Sequence, residues 1–249
     1  MRIATLLISM IVLLGACEKE PMVVEKAGLK LTFKAVYDSE PLLLSRNYEF
    51  MNGDSIRFQR ADLIISDISI GNSKNVSLSQ VEWLGFSEKN ADPSKIEEGF
   101  SFTFNDLEPG VYTSLYWNIG LNQVQNRSTP ANYTFPHPLS NAELYWAGWN
   151  SYIFSRTDGK LLTESGTYDF SYHTGGDILT RALEWNQNIE LKAGEVKEII
   201  IYIDYKKIFV QDGEVYDIKN NLSSHTSAQI AVAHAIADNM KLAVKYELK

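Results

Sequence analysis

Ile56-Arg-Phe-Gln-Arg-Ala-Asp-Leu-Ile-Ile-Ser-Asp-Ile-Ser-Ile70 reads as one long β-strand or two short ones, dense in β-branched residues and bounded by turn chemistry. Asn52-Gly53-Asp54 precedes it and Gly71-Asn72-Ser73 follows it. Toward the N-terminus, Leu29, Leu31, Phe33, Ala35 and Tyr37 alternate with Lys30, Thr32, Lys34 and Val36, the period of a half-buried strand. Toward the C-terminus, residues 81–86 form another short strand, and Phe100, Phe102 and Phe104 alternate again. Glu108-Pro109-Gly110 makes a turn, with proline pre-set at one centre and glycine free at the next. Residues 111–119 follow as a strand that closes at Gly120-Leu121-Asn122.

Residues 122–138, with three prolines and little periodicity, read as a long loop. Residues 149–154 and 167–172 then read as strands flanking a turn region at Asp158-Gly159, and Ala193-Gly194 turns the chain into a strand over 196–205. The last element has a different period. From Thr226 to about Val244 the apolar residues stand at 228, 232, 235, 236, 240 and 243, with Ser223, Ser224 or Thr226 available to cap, which predicts a helix. The fold class expected is therefore mainly β: an antiparallel β-sandwich with long loops and one C-terminal α-helix.

The N-terminus is organised differently. Met1-Arg2, a short apolar run to Leu14 and then Leu14-Gly15-Ala16-Cys17 read as a signal peptide over 1–16 that ends in a bacterial lipobox. The apolar run is too short for a membrane span, so Cys17 is expected to carry a lipid that anchors the mature chain without crossing the bilayer. Residues 17–27 read as a tether, and the folded domain as 28–249. Glu18-Lys19-Glu20-Pro21 resembles the charged signals that send some lipoproteins of Bacteroidota to the outer face of the outer membrane. The localisation expected is that of an outer-membrane lipoprotein, facing the periplasm or the cell surface.

Cys17 is the chain's one cysteine, so no intramolecular disulfide can form and stability must come from the core. Thirty-one acidic residues against twenty-three basic ones give a formal charge of −8, which becomes −9 once Arg2 leaves with residues 1–16. An acidic chain without a basic block is a poor partner for nucleic acid. Nucleophile elbow, P-loop, dinucleotide fingerprint and zincin motif are all absent, so nothing directly argues for catalysis.

The histidines His137, His173, His225 and His234 all lie in the C-terminal half, and imidazole is a frequent ligand for copper and zinc. His173 stands between Tyr172 and Thr174-Gly175-Gly176 at a predicted strand end, where it could face a ligand from another segment; a hydrogen-bonded structural role is the alternative. His225 stands at the predicted helix start, where the helix dipole disfavours the protonated ring; a loop or capping role is its alternative. His234 reads as a boundary or core position on the helix, and His137, between two prolines, as a rigid loop residue. Trp146 and Trp149, three apart, would fall on opposite faces of a strand, so at most one would face a given site. Core packing is their first reading, and a sugar-stacking platform with Tyr145 and Tyr152 the second.

Several segments, in order, resemble the MbnP-like family of exported β-rich proteins, named after a periplasmic copper-binding protein linked to methanobactin. They are Leu63-Ile-Ile-Ser-Asp-Ile-Ser-Ile70; Glu108-Pro-Gly-Val-Tyr-Thr-Ser-Leu115 with Asn118-Ile-Gly-Leu-Asn122; Pro138-Leu139 with Tyr145-Trp146, Trp149-Asn-Ser-Tyr-Ile-Phe154 and Asp158-Gly159; Phe170-Ser-Tyr-His-Thr-Gly175; and His225 with Ile236-Ala-Asp-Asn239. The resemblance spans nearly all of the mature chain. It implies copper binding by histidine, assisted in some members by a tryptophan that a partner di-haem enzyme oxidises to kynurenine. His173 and His225 match the metal positions, Trp146 and Trp149 the tryptophan motif, and Tyr172 joins them as a candidate site-lining aromatic. The chain departs from the family in having no Trp-x-His pair and no histidine before residue 137. The function expected is a lipid-anchored, non-enzymatic copper-binding or copper-handling protein; the alternative is a surface module that binds a glycan or envelope protein through exposed aromatics.

Overall fold

The computed structural model describes residues 25–72 and 74–249. Cys17, the signal peptide expected over 1–16 and the part of the expected tether up to residue 24 lie outside the described residues. The long strands are β1 (Ala27–Tyr37), β2 (Ser55–Gly71), β3 (Asn75–Gly85), β4 (Phe100–Leu107), β5 (Gly110–Ile119), β6 (Ser151–Thr163), β7 (Gly166–Gly175), β8 (Arg181–Leu191), β9 (Val196–Asp204) and β10 (Val244–Leu248). One helix of several turns, α1 (Ile230–Leu242), lies between β9 and β10 in the chain.

Two sheets face each other. The first runs β10-β9-β1, with β4 on the far edge of β1. β1 and β9 pair in parallel, Gly28 opposite Val196 through to Val36 opposite Asp204, while the neighbouring pairs are antiparallel. A parallel pair needs a long crossover, and here the whole second sheet supplies it. β1 is central in its sheet and so is more deeply buried than its alternation predicts, Thr32 and Val36 included.

The second sheet is built on β2, which is one continuous strand. Leu63 pairs with β3 and with β6, and Ile65 with β3 and with β5. A residue has only two edges, so β6 and β5 share one edge of β2 and fork apart near Ile64. Register shifts after Phe58 and after Ser66 bend β2 at the fork, with Asp67 in the left-handed region at φ 52°. β7 extends the sheet beyond β6, β8 extends it beyond β5, and α1 packs against β7 and β8.

The inner faces carry the core. Phe33 meets Trp117 edge-on at 5.4 Å and Phe58 meets Tyr205 edge-on at 5.6 Å, joining the sheets through aromatic contacts. Leu31, Leu63, Ile65, Ile199, Ile201 and Ile203 fill the space between them. A second apolar cluster lies on the outer face of the second sheet, where Ile64, Val81 and Phe154 are covered by Leu121, Leu139 and Leu144. The irregular segment between β5 and β6 supplies that cover.

The β-sandwich with a C-terminal helix is the fold expected, and several local readings change within it. Asp158-Gly159 is not a turn: it sits inside β6, opposite Ser171 and Phe170 of β7, and the turn comes at Glu164-Ser165. Gly159 is required by close approach, since a Cβ there would lie 2.2 Å from the Arg57 carbonyl oxygen and 2.5 Å from the Phe170 ring. Thr226 caps a 3-10 turn over Ser227–Gln229 that leads into α1, and the residues after Leu242 form β10 where helix was expected to continue.

Gly159→Ala is expected to destabilise the fold by about 1–3 kcal/mol or more, because a backbone carbonyl and a core ring must both shift. The midpoint of denaturant unfolding, compared with that of the unmodified chain, measures this.

Candidate metal centre

Alternation along β6 and β7 sends Phe170 and Tyr172 to the core and Ser171 and His173 to the outer face. Residues opposite each other in the pairing share a face. Arg60, Asp158 and Ser171 therefore form one row across β2, β6 and β7, and Asp62, Arg156 and His173 the next. This polar ladder adjoins the apolar cluster under the loop. Tyr172, expected among the site-lining aromatics, is fully buried on the opposite face, its hydroxyl donating to the Asn221 carbonyl at 2.5 Å.

The outer edge of β7 brings in the second histidine. Residues 222–224 run beside that edge: Ser171 N donates to Leu222 O at 2.8 Å and Ser224 N to Ser171 O at 3.3 Å. The buried Ser224 hydroxyl accepts from the His173 amide at 2.9 Å and donates to the His173 carbonyl at 2.7 Å. His225 follows directly, its amide held by Gln229 Oε1 at 2.9 Å. The two imidazoles lie 4.4 Å apart between ring centroids. His225 stands ahead of the Thr226 cap, in the loop before the helical turns.

A short antiparallel pair, Tyr145 opposite Tyr152 and Trp146 opposite Ser151, is closed by a turn over 147–150. The turn corrects the expectation that the two tryptophans fall on opposite faces. Trp146 and Trp149 stack with centroids 4.8 Å apart and planes within 10°. Trp146 is the inner ring of the stack, 5.7 Å from His173 and 5.2 Å from His225. Trp149 braces it: its indole N–H donates to the His225 carbonyl at 3.0 Å, and its ring lies over Gly175, where a Cβ would come within 3.0 Å of it. Gly175 is therefore part of the site's construction.

Asp158 is the charged group at the centre. Its Oδ1 lies 3.2 Å from His173 Nε2 and accepts the Ser171 hydroxyl at 2.6 Å, while Ser171 Oγ lies 3.0 Å from His225 Nε2. Burial pushes the Asp158 carboxyl up, but the hydrogen bonds from His173 and Ser171 outweigh it and hold the group below its ordinary value. His225 is held below its usual value by burial first and by His173 second, against the pull of Asp158. That shift favours the neutral ring, the form able to ligate. His173 Nδ1 is buried without a hydrogen-bond partner, which is costly for a polar atom unless a ligand uses it.

Among the described residues no group of three or more His, Cys, Asp or Glu side chains is arranged to hold a metal ion. The donor set here is a histidine pair, with a carboxylate and a hydroxyl behind it and an indole beside it. Sequence reasoning missed Asp158, Ser171 and Ser224. The first was hidden by a dipeptide typical of turns, whereas Ser171 stands two residues before His173 and shares its face by simple strand period. His137 and His234 are engaged elsewhere, His137 in its own loop and His234 across to the start of β8. His137 stacks on Tyr133 at 4.2 Å and accepts from the Leu139 amide, and His234 Nδ1 meets Arg181 at 3.1 Å.

Compared with known proteins, the chain matches the family model MbnP over residues 26–231. Among solved structures it is similar to MbnP from Methylosinus trichosporium, with 9% identity, 90% of this chain and 99% of that chain covered, and a TM-score of 0.53. At that identity the likeness is one of fold. No curated protein matches.

Ser224→Ala leaves the His173 amide without its buried acceptor and is expected to cost about 1–3 kcal/mol. Hydrogen exchange at the His173 amide is expected to be slow in the unmodified chain and to accelerate in the variant as the 222–225 segment comes away from the edge of β7.

Proposed function

The chain belongs to the MbnP family, and on that premise we propose that it is a non-enzymatic copper-binding or copper-handling protein that holds the ion with His173 and His225. The observation that carries this reading is the approach of two imidazoles from separate segments to 4.4 Å, one of them with a buried ring nitrogen that nothing else uses. Zinc sites take three or four protein ligands. Two imidazoles without sulfur suit copper better, with a further donor completing the set. The bound ion would sit beside Trp146, the aromatic ring that contacts both histidines.

Trp146 is also the residue best placed for the oxidation that a di-haem partner carries out in some family members, so such an enzyme is the partner this reading names. The other expectation, a glycan or envelope protein taken up by exposed aromatics, is less favoured by the geometry. Trp146 and Trp149 are only partly exposed and stack on each other, with Trp146 against the histidines.

No helix among the described residues is long and apolar enough to cross a membrane. We propose lipid attachment at Cys17 as the membrane anchor, with the chain after residue 27 held at the outer membrane, facing the periplasm or the cell surface.

The purified chain is expected to bind stoichiometric copper and to lose it in a His173→Ala, His225→Ala double variant, read by metal analysis after desalting. Copper should also quench tryptophan emission, and Trp146→Phe should remove most of that quenching. A chain that takes up neither Cu(I) nor Cu(II) sinks the reading. Cys17→Ser is expected to move the protein from the membrane fraction to the soluble fraction, with an intact mass that shows no acyl groups.

A further inference from the structure

Asp158 and Ser171 do more than neighbour the histidines, because their hydrogen bonds fix where the ring protons are. A carboxylate only accepts, and the Ser171 hydroxyl gives its single hydrogen to Asp158 Oδ1 at 2.6 Å. Toward His225 Nε2, 3.0 Å away, that hydroxyl can then only accept, so His225 Nε2 must carry the hydrogen. His173 Nε2, 3.2 Å from the same carboxylate oxygen, must carry one for the same reason. A neutral imidazole has one N–H, so in the neutral form of either ring that hydrogen is on Nε2 and the lone pair is left on Nδ1. In His173 that atom is the buried one without a partner.

We infer that Asp158, acting on His173 directly and on His225 through Ser171, is the positioning residue of the site: it holds both rings as Nε2–H tautomers and leaves Nδ1 of each as the ligating atom. This deepens the copper reading and rests on it for the role of the two rings as ligands. Asp158 itself does not ligate. It stands behind the rings, as carboxylates commonly do behind metal-bound histidines, orienting them and raising their basicity. The pairing of β6 with β7 places it there, with Asp158 opposite Ser171 in the ladder and the His173 row next to it. Arg60, whose Nε is 4.0 Å from Asp158 Oδ2, leaves Oδ1 to the serine and the histidine.

The test uses the full chain labelled with nitrogen-15 in its histidine rings, metal-free and at neutral pH, read by long-range proton–nitrogen correlation. Both His173 and His225 are expected to show a protonated Nε2 and a bare Nδ1. Asp158→Ala should turn both rings into tautomer mixtures, Ser171→Ala should do so for His225 alone, and Asp158→Asn, which keeps an acceptor oxygen, should preserve His173. An Nδ1–H tautomer in either ring of the unmodified chain, or an Asp158→Ala variant with unchanged rings, overturns the inference. If Asp158→Ala does not fold, the Ser171→Ala spectrum decides. On titration with Cu(I) alone the Nδ1 signals should move while Nε2 stays protonated, and Asp158→Ala should bind about 10–100-fold more weakly. Movement at Nε2 overturns the ligation assignment. A chain that shows the stated tautomers but takes up no copper upholds the positioning and removes the copper reading instead.

Discussion

The site depends on the outer edge of β7. An edge strand presents backbone groups that pairing or a covering segment must satisfy, and here residues 222–224 provide that cover. Ser224 strengthens it by bonding both the amide and the carbonyl of His173. That pairing puts His225 beside His173, so the edge of the sheet and the histidine pair have one cause. A histidine pair built this way is held by backbone bonds as well as by side-chain packing, which limits how far either ring can drift from the other.

The position of the pair on the sheet sets its chemistry. It lies on the outer face, where a ladder of charged side chains on β2, β6 and β7 meets the apolar cluster under the loop that precedes β6. On the loop side, the tryptophan stack and the cover over Gly175 help bury His225, and that burial lowers the proton affinity of its ring. On the ladder side, Asp158 offers a fixed negative charge held by two hydrogen bonds. An oriented pair of ring nitrogens backed by a carboxylate is an arrangement that suits a borderline metal ion.

The scaffold earns its rigidity elsewhere. The two sheets are joined by aromatic contacts that run from Phe33 and Trp117 to Phe58 and Tyr205, with Phe170 and Tyr172 of β7 part of the same core. β7 is thus anchored by its inner face and free to carry function on its outer one. The fork on β2 opens the sheet so that the loop before β6 and the start of α1 can approach the same end of β7.

What the sequence determined by itself is what local period and local chemistry encode. Alternation marks β1, β4 and β9, the 3.6-residue period after Ser223, Ser224 and Thr226 marks α1, and glycines beside His173 mark a strand end where the backbone can turn. The tertiary structure decided the rest, because the rest is non-local. Asp158-Gly159 has the composition of a turn, and only the nearness of Arg57 and Phe170 makes its glycine a mid-strand necessity. Trp146 and Trp149 take opposite faces if their segment is a strand and one side if it is a turn, and pairing with β6 made it a turn. Tyr172 and His173 are adjacent in the chain yet face opposite ways, and which face is the core depends on the other sheet. Spacing along the chain carries no record of hydrogen bonds between distant segments, so the meeting of His173, His225 and Asp158 could be set only by the fold.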